Sequence, residues 1–167
     1  MPETRFTYCP YCATRLKEEF VHGAIRAVCP ACSYVQFLDP KLVTIVVIEH
    51  QGKLLLGRRN IEPGRGKWSY FGGYVEQGEQ VEEAALREVK EETNLDVHID
   101  RFIGVYSERG DPHVLLAYAA SVVNNDLSGM NAQLEETSEL ALFALDELPE
   151  LAFAIDTQIL HDMRAVT

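Results

Sequence analysis

The 167-residue sequence has no run of apolar residues long enough to cross a bilayer, and its first residues lack the apolar core of a secretory signal. It also has no low-complexity segment, and its only repeated motif is a short Cys-Pro-x-Cys. Membrane-spanning, secreted and repeat-built proteins are therefore not expected. Because 47% of the residues are hydrophobic and 25% are charged, we expect a globular, cytoplasmic protein with one core and a small appended module.

Basic residues are scarce, since 15 lysines and arginines stand against 26 acidic residues and the formal net charge is −11. The acidic excess lies late in the chain: residues 76–100 carry two basic and nine acidic side chains, and residues 101–167 carry three and eleven. Binding to nucleic acid depends on neutralising phosphates, which such a surface does poorly. A nucleic-acid partner is therefore not expected.

Cysteine is rare as well, and all four cysteines fall in two short motifs, Cys9-Pro-Tyr-Cys12 and Cys29-Pro-Ala-Cys32. Two such pairs at this separation are typical of a zinc ribbon, in which four thiolates complete a tetrahedral site. Because four cysteines leave no open coordination position, the zinc is predicted to be structural. Thiol–disulfide exchange at one pair and disulfide bonding remain alternatives.

Turn residues divide the rest of the chain into alternating strands and helices. Asp39-Pro40 ends the cysteine module, so we predict a β zinc ribbon at residues 1–39 and a second domain at residues 40–167. Hydrophobic patterns predict strands at 42–49, 53–58, 68–71, 97–106, 114–123 and 140–145, and helices at 80–93 and 155–165. This alternation predicts the α/β class, with a sheet packed between helices.

The predicted helix at 80–93 concentrates acidic residues on one side. Residues three and four apart share a helix face, so Glu88, Glu91 and Glu92 converge. Like charges so placed repel one another, which predicts that a cation sits among them. Carboxylate oxygens suit hard divalent ions such as Mg²⁺ or Mn²⁺, which also bind phosphate oxygens.

The spacing of these residues resembles the signature of Nudix hydrolases, G-x5-E-x7-R-E-U-x-E-E-x-G-U, where U is aliphatic. The matching positions are Gly73, Glu79, Arg87, Glu88, Val89, Glu91, Glu92 and Leu95. One position departs, because Asn94 stands where the signature has its second glycine. Asparagine readily takes the left-handed conformation that ends a helix, so we expect the same local geometry. The resemblance implies an α/β/α sandwich with a mixed sheet over roughly residues 40–165.

The resemblance also implies roles for individual residues. Glu88, Glu91 and Glu92, with the backbone carbonyl of Gly72, would ligate Mg²⁺ or Mn²⁺. Arg87 would hold a carboxylate in place, and Glu79 would orient the site. Some family members use a further carboxylate from a later loop, for which Glu136 is favoured here. One of the glutamates would act as the base for water attack on a diphosphate.

Residues outside the signature must select the substrate. Arg58 and Arg59, in the basic stretch before the signature, are predicted to contact a diphosphate, and Tyr70 and Phe71 to stack on a ring of the substrate. The ribbon-plus-signature layout is similar to a group of FAD and ADP-ribose pyrophosphatases. An NADH pyrophosphatase is an alternative, although residues 107–113 depart from that branch. A non-catalytic nucleotide-binding regulator is another. The resemblance to the family also implies a homodimer.

Overall fold

The computed structural model describes residues 6–165. The chain forms two compact units, Met1–Pro40 and Lys41–Thr167. The boundary predicted from the sequence, between residues 39 and 40, lies one residue earlier. Within the described range no helix has the length and apolar character needed to span a membrane.

The first unit is built on a two-stranded antiparallel hairpin. Strand β1 covers Lys17–Val21 and strand β2 covers Ala24–Val28. The connecting turn, His22-Gly23, has positive φ at both residues (49° and 80°), as a two-residue hairpin turn of the right twist requires. The cysteine pairs lie on either side of this hairpin.

The second unit carries six strands and two long helices. They are β3 (Lys41–His50), β4 (Lys53–Arg59), β5 (Trp68–Ser69), α1 (Val81–Thr93), β6 (Val97–Tyr106), β7 (His113–Val122), β8 (Thr137–Ala144) and α2 (Ala154–Ala165). A short 3-10 turn, Val123–Asn125, follows β7. Each predicted element is present. The last strand starts three residues earlier than predicted, because Thr137 already pairs with Arg59 of β4.

The six strands form one mixed sheet in the order β5-β4-β3-β7-β6, with β8 paired to the other side of β4. Strands β3 and β7 are parallel, and the remaining neighbours are antiparallel. The central position of β3 explains its long apolar run, since a strand covered on both faces has no reason to alternate with polar residues. The mixed sheet predicted from the sequence is confirmed.

Each face of the sheet packs against one helix, which gives the three layers of an α/β/α sandwich. Val46, Ile48 and Leu55 pack with Ala85 and Val89 of α1. Neighbouring residues of the same strands point the other way and pack with Ile159, Leu160 and Met163 of α2. The alternation of side chains along β3 and β4 therefore fixes which helix each strand residue touches.

The chain after β5 runs beside the first half of β3. Bridges join Phe71 to Val46 and Tyr74 to Val43. The backbone N–H of Thr44 donates to the carbonyl oxygen of Gly73 at 2.9 Å. Two glycines are thereby held at the sheet, on the segment that leads to the entrance of α1.

Candidate active site and metal centre

Helix α1 has one buried face and one acidic face. Ala84, Ala85, Val89 and Thr93 are buried against the sheet. The helix ends at Asn94, which has φ 59° and ψ 13° and whose N–H donates to Lys90 O at 2.9 Å. The expectation that asparagine preserves the left-handed helix ending is confirmed.

Gly72 and Gly73 allow the backbone to approach β3 and α1 more closely than a side chain would permit. Gly72 has φ 148°, and a Cβ there would lie 1.9 Å from the carbonyl oxygen of Thr44. A Cβ on Gly73 would lie 2.4 Å from Cδ of Glu88. Since real Cβ atoms do not come so close, Gly72 cannot be replaced without moving the backbone of Thr44, and a side chain at Gly73 would displace the carboxylate of Glu88. The carboxylate of Glu88 therefore lies directly against the glycine backbone.

Arg87 links three parts of the site through its guanidinium. Its Nε and Nη2 donate to the two carboxylate oxygens of Glu79 at 2.8 and 3.1 Å. Nη1 donates to Glu88 at 2.8 Å, and Nη2 also donates to the carbonyl oxygen of Tyr74 at 3.1 Å. The bonds from Arg87 and the N–H of Glu76 lower the pKa of Glu79. Arg87 thus holds two carboxylates and the segment after the glycines in one geometry.

Glu92 is the most enclosed carboxylate of the site. It accepts the N–H of Gly72 at 2.9 Å and the hydroxyl of Thr137 at 3.2 Å. Burial raises its pKa to about 7 against these bonds, with smaller contributions from the negative charges of Glu88 and Glu136. The pKa of Glu88 is raised as well, by burial first, and its bond from Arg87 opposes the shift. These carboxylates lie in an environment that disfavours negative charge, as expected of a cation site.

Glu91 and Glu136 are more open. The side chain of Glu91 is 59% exposed and lies 3.6 Å from Nη1 of Arg87. Glu136, just before β8, is exposed, but its charge is near enough to raise the pKa values of Glu88 and Glu92. The sequence prediction that a later loop brings a further carboxylate to the helix is thus consistent with the structure. No three of these carboxylates, all within the described residues, have oxygens within 4.8 Å of one another.

Arg58 and Arg59 bind the loop that follows β4. Nε of Arg58 donates to the carbonyl oxygen of Gly66 at 2.9 Å. Nε of Arg59 donates to the carbonyl oxygen of Pro63 at 2.7 Å, and its guanidinium stacks on the ring of Phe153, 5.0 Å from the centroid. Phe153 directly precedes α2, so Arg59 lies on the α2 side of the sheet. The structure gives both arginines a role in shaping residues 60–67.

Tyr70 and Phe71 do not lie where the sequence interpretation expected them. Phe71 is fully buried in the core on the α1 face, and Tyr70 is 5% exposed in the core on the α2 face. The hydroxyl of Tyr70 donates to the carbonyl oxygen of Asp156 at 3.2 Å. Neither ring is open to a stacking substrate. The short strand pattern could not distinguish a core aromatic from a binding aromatic.

Two residues that contact Glu92 or Arg87 are not part of the sequence signature. Thr137 reaches Glu92 across 45 positions of sequence, and no motif indicates that contact. Tyr74 is 48% exposed, and its ring lies 4.6 Å from Nζ of Lys41 while its hydroxyl lies 3.1 Å from Nε2 of His113. The only available signal for Tyr74 was its position after the two glycines.

The four cysteines of the first unit come together as predicted. The Sγ atoms of Cys12 and Cys29 are 3.4 Å apart, and the Cys9–Cys32 and Cys12–Cys32 pairs are both 3.6 Å apart. All four sulfurs lie within 4.8 Å of one another, and none is in a disulfide. Four sulfurs around one zinc at 2.3 Å stand about 3.8 Å apart. The cluster therefore fits a tetrahedral metal site, with both pairs converging on one point.

The unit that carries α1 and its glutamates matches a known family. The sequence model of the NUDIX domain covers residues 39–163, which is most of the chain. The chain belongs to the NUDIX family. The match includes α1, both preceding glycines and Glu136.

Similar proteins agree with this assignment to the NUDIX family. An ADP-ribose pyrophosphatase of Methanocaldococcus jannaschii is 36% identical over 135 residues, which are 78% of each chain. The NAD-capped RNA hydrolase NudC of Pseudomonas aeruginosa is 28% identical over 144 residues, 85% of this chain but 50% of that protein. This chain therefore spans about half the length of that relative.

Solved structures of the NUDIX family share the fold. A NUDIX hydrolase from Nitrosomonas europaea superposes with a TM-score of 0.85 at 30% identity, over 93% of this chain and 88% of that one. An ADP-ribose pyrophosphatase from Streptococcus suis superposes with a TM-score of 0.63 at 27% identity, over 76% and 92%. The first match covers nearly the whole of both chains.

Proposed function

We propose that this NUDIX protein hydrolyses the diphosphate bond of a nucleoside diphosphate linked to another group, releasing AMP and a second phosphate product. The favoured substrates are ADP-ribose and FAD. One observation supports the reaction above the others: Glu88 and Glu92 are held against the backbone of Gly72 and Gly73 by separate sets of hydrogen bonds. That arrangement places two carboxylates directly beside a backbone segment that carries no side chains.

The donor set fits Mg²⁺ or Mn²⁺. Glu88, Glu91 and Glu92 would hold the ion, together with the carbonyl of Gly72, and all of these ligands are hard oxygens. Burial raises the pKa values of Glu88 and Glu92, so a divalent cation would relieve an existing electrostatic cost. When bound, such an ion neutralises charge on the phosphate oxygens during substitution at phosphorus.

The protein groups supply orientation and proton transfer. Arg87 fixes Glu79 and Glu88 with a planar guanidinium that matches planar carboxylates. One of the glutamates of the site would act as the base that takes a proton from the attacking water. Glu136 would add a further carboxylate from the loop before β8. Arg58 and Arg59 remain proposed diphosphate contacts. Arg58 would have to leave Gly66 O and Glu139, and Arg59 would have to leave Pro63 O and the ring of Phe153 on the α2 side of the sheet.

The choice of substrate rests on the relatives and on the layout of the chain. The Methanocaldococcus jannaschii relative, which matches 78% of this chain, is an ADP-ribose pyrophosphatase. A second candidate activity is NADH pyrophosphatase, favoured by the match to NudC over 85% of the chain. The acidic net charge of −11 argues against a long RNA as substrate, so the second candidate is the free dinucleotide.

We further propose one structural zinc ion on Cys9, Cys12, Cys29 and Cys32, in a ribbon domain at residues 1–39 that precedes the NUDIX domain at residues 40–167. Four thiolate ligands leave no position for water, so this metal would stabilise the small hairpin rather than take part in hydrolysis. Unpaired thiols suit a reducing compartment, which supports a cytoplasmic location. We propose a homodimer only because the chain belongs to the NUDIX family.

The test is a panel of substrates. Purified protein is incubated with ADP-ribose, FAD and NADH, each with Mg²⁺ or Mn²⁺, and AMP is measured by chromatography. Glu83→Gln is included as a control for the loss of a carboxylate of α1 that lies outside the site, because Glu83 is exposed in the first turn of the helix, away from the glycines. We expect release of AMP from ADP-ribose or FAD by both proteins. Tight binding of a nucleotide without any turnover would favour the non-catalytic regulator instead.

A further inference from the structure

Asn94 makes a contact that the glycine of the family signature cannot make. Its side-chain Nδ2 donates to the carbonyl oxygen of Gly129 at 2.8 Å, 35 residues later in the chain. Its backbone takes the left-handed conformation that glycine adopts without any Cβ penalty. Backbone geometry alone therefore gives no reason for asparagine. What the side chain adds is the bond to Gly129.

Gly129 belongs to a loop, residues 126–136, that lies along the end of α1. The N–H of Asn131 donates to the carbonyl oxygen of Thr93 at 2.9 Å, and the N–H of Gln133 donates to the carbonyl oxygen of Glu92 at 3.2 Å. The last carbonyls of a helix have no partners within the helix itself, so the loop satisfies them. Together with the amide of Asn94, these bonds dock the loop on the end of the helix that carries the glutamates.

The docked loop ends at two groups that lie near the glutamates, Glu136 in the loop and Thr137 at the start of β8. The N–H of Thr137 donates to Gln133 O at 2.8 Å, and its hydroxyl donates to Glu92 at 3.2 Å. Glu136 lies near enough to raise the pKa values of Glu88 and Glu92. Thr137 is the first residue of β8 and pairs with Arg59 of β4, so movement of the loop away from α1 would shift Glu136 but leave Thr137 in the sheet.

We infer that Asn94 is a positioning residue for the reaction: its amide holds loop 126–136 on the end of α1 and thereby keeps Glu136 beside the catalytic glutamates. This inference rests on the hydrolase function proposed above. Loss of one neutral hydrogen bond shifts an equilibrium by about 3- to 10-fold. The equilibrium constant between the docked and the undocked loop should change by that factor.

The first arm of the test measures the loop without reference to activity. Asn94→Gly keeps the left-handed backbone and removes only the amide, so the fold should be retained. Asn125→Gly is the matched control, since Asn125 also has positive φ (53°) and, among residues 6–165, its side chain makes no hydrogen bond. Hydrogen exchange in peptides spanning residues 126–136 should be about 3- to 10-fold faster in Asn94→Gly and unchanged in the control.

The second arm measures coupling to Glu136. Asn94→Gly should lower kcat for ADP-ribose in the native background, by up to about 10-fold, and should have no further effect in a Glu136→Gln background. Equal effects in both backgrounds, or native exchange and native kcat in Asn94→Gly, would overturn the role of Asn94. Absence of turnover in the wild-type protein would instead overturn the proposed function, and the catalytic role of Asn94 with it.

Discussion

The environment of Glu92 predicts an unusual pH dependence of stability. In the folded protein its pKa is raised from the ordinary value of 4.5 to about 7, chiefly by burial. A tenfold change in an acid dissociation constant corresponds to about 1.4 kcal/mol, so ionised Glu92 lowers the free energy of unfolding by about 3 kcal/mol. Because the pKa of Glu92 is higher in the folded than in the unfolded protein, the destabilisation is complete above pH 7 and disappears below pH 4.5.

The substitution Glu92→Gln removes the charge and keeps the shape. Glutamine retains an acceptor for the N–H of Gly72 and offers a donor to the hydroxyl of Thr137, so both contacts survive. The variant should therefore be more stable than the wild type by up to about 3 kcal/mol at pH 8. The difference should shrink as the pH falls through 7 and vanish near pH 4.

Guanidinium unfolding without added Mg²⁺ or Mn²⁺ measures this difference. Trp68 is the single tryptophan of the chain and lies in β5, so its fluorescence reports on the NUDIX domain rather than the ribbon. Glu91→Gln is the matched control, because the Glu91 side chain is 59% exposed and should shift stability by less than about 0.5 kcal/mol. If the two proteins had the same free energy of unfolding at pH 8, or if their difference were as large at pH 5 as at pH 8, the reasoning would be refuted.

Three other outcomes follow from the same structure. Glu91→Gln should lower the rate of diphosphate hydrolysis by at least about 100-fold while leaving the fold intact, because a metal ligand is lost; a near-native rate would remove Glu91 from the metal site. Gly73→Ala would place a Cβ 2.4 Å from Cδ of Glu88, so the carboxylate must move, and kcat should fall about 100-fold. Elemental analysis should find about one zinc per chain, and Cys12→Ser should lose both the metal and the far-ultraviolet dichroism of the hairpin; a folded, zinc-free ribbon would contradict the site.

The sequence predicts the structure best where the residues that form the site also set the periodicity of a helix or strand. The signature from Gly73 to Leu95 sets the length of α1, its acidic face and its glycine entrance, because the same residues that hold the site also define the helix. The apolar run of β3 predicts a strand covered on both faces. The spacing of the two cysteine pairs predicts that they converge on one metal, because each pair suits a tight turn and two such pairs are typical of a zinc ribbon.

The features of the site that the sequence does not predict depend on contacts between distant parts of the chain. The bond from Thr137 to Glu92 and that from Asn94 to Gly129 span 45 and 35 residues, and neither leaves a local pattern. Aromatic residues on strands pack in the core more often than they bind a substrate, and the sequence pattern around Tyr70 and Phe71 does not distinguish the two roles. Their burial follows from where β5 and its continuation lie in the sheet, which short strands do not reveal.

The most direct test of the central claim is the rate of AMP release from ADP-ribose in Mg²⁺ by the wild type and by Glu88→Gln, with Glu83→Gln as control. Glu88 lies against Gly73 and is held by Arg87 at 2.8 Å, whereas Glu83 is exposed in the first turn of the same helix. We predict wild-type turnover, a loss of at least about 100-fold in Glu88→Gln, and native rates in Glu83→Gln. Equal rates in all three proteins would contradict the account.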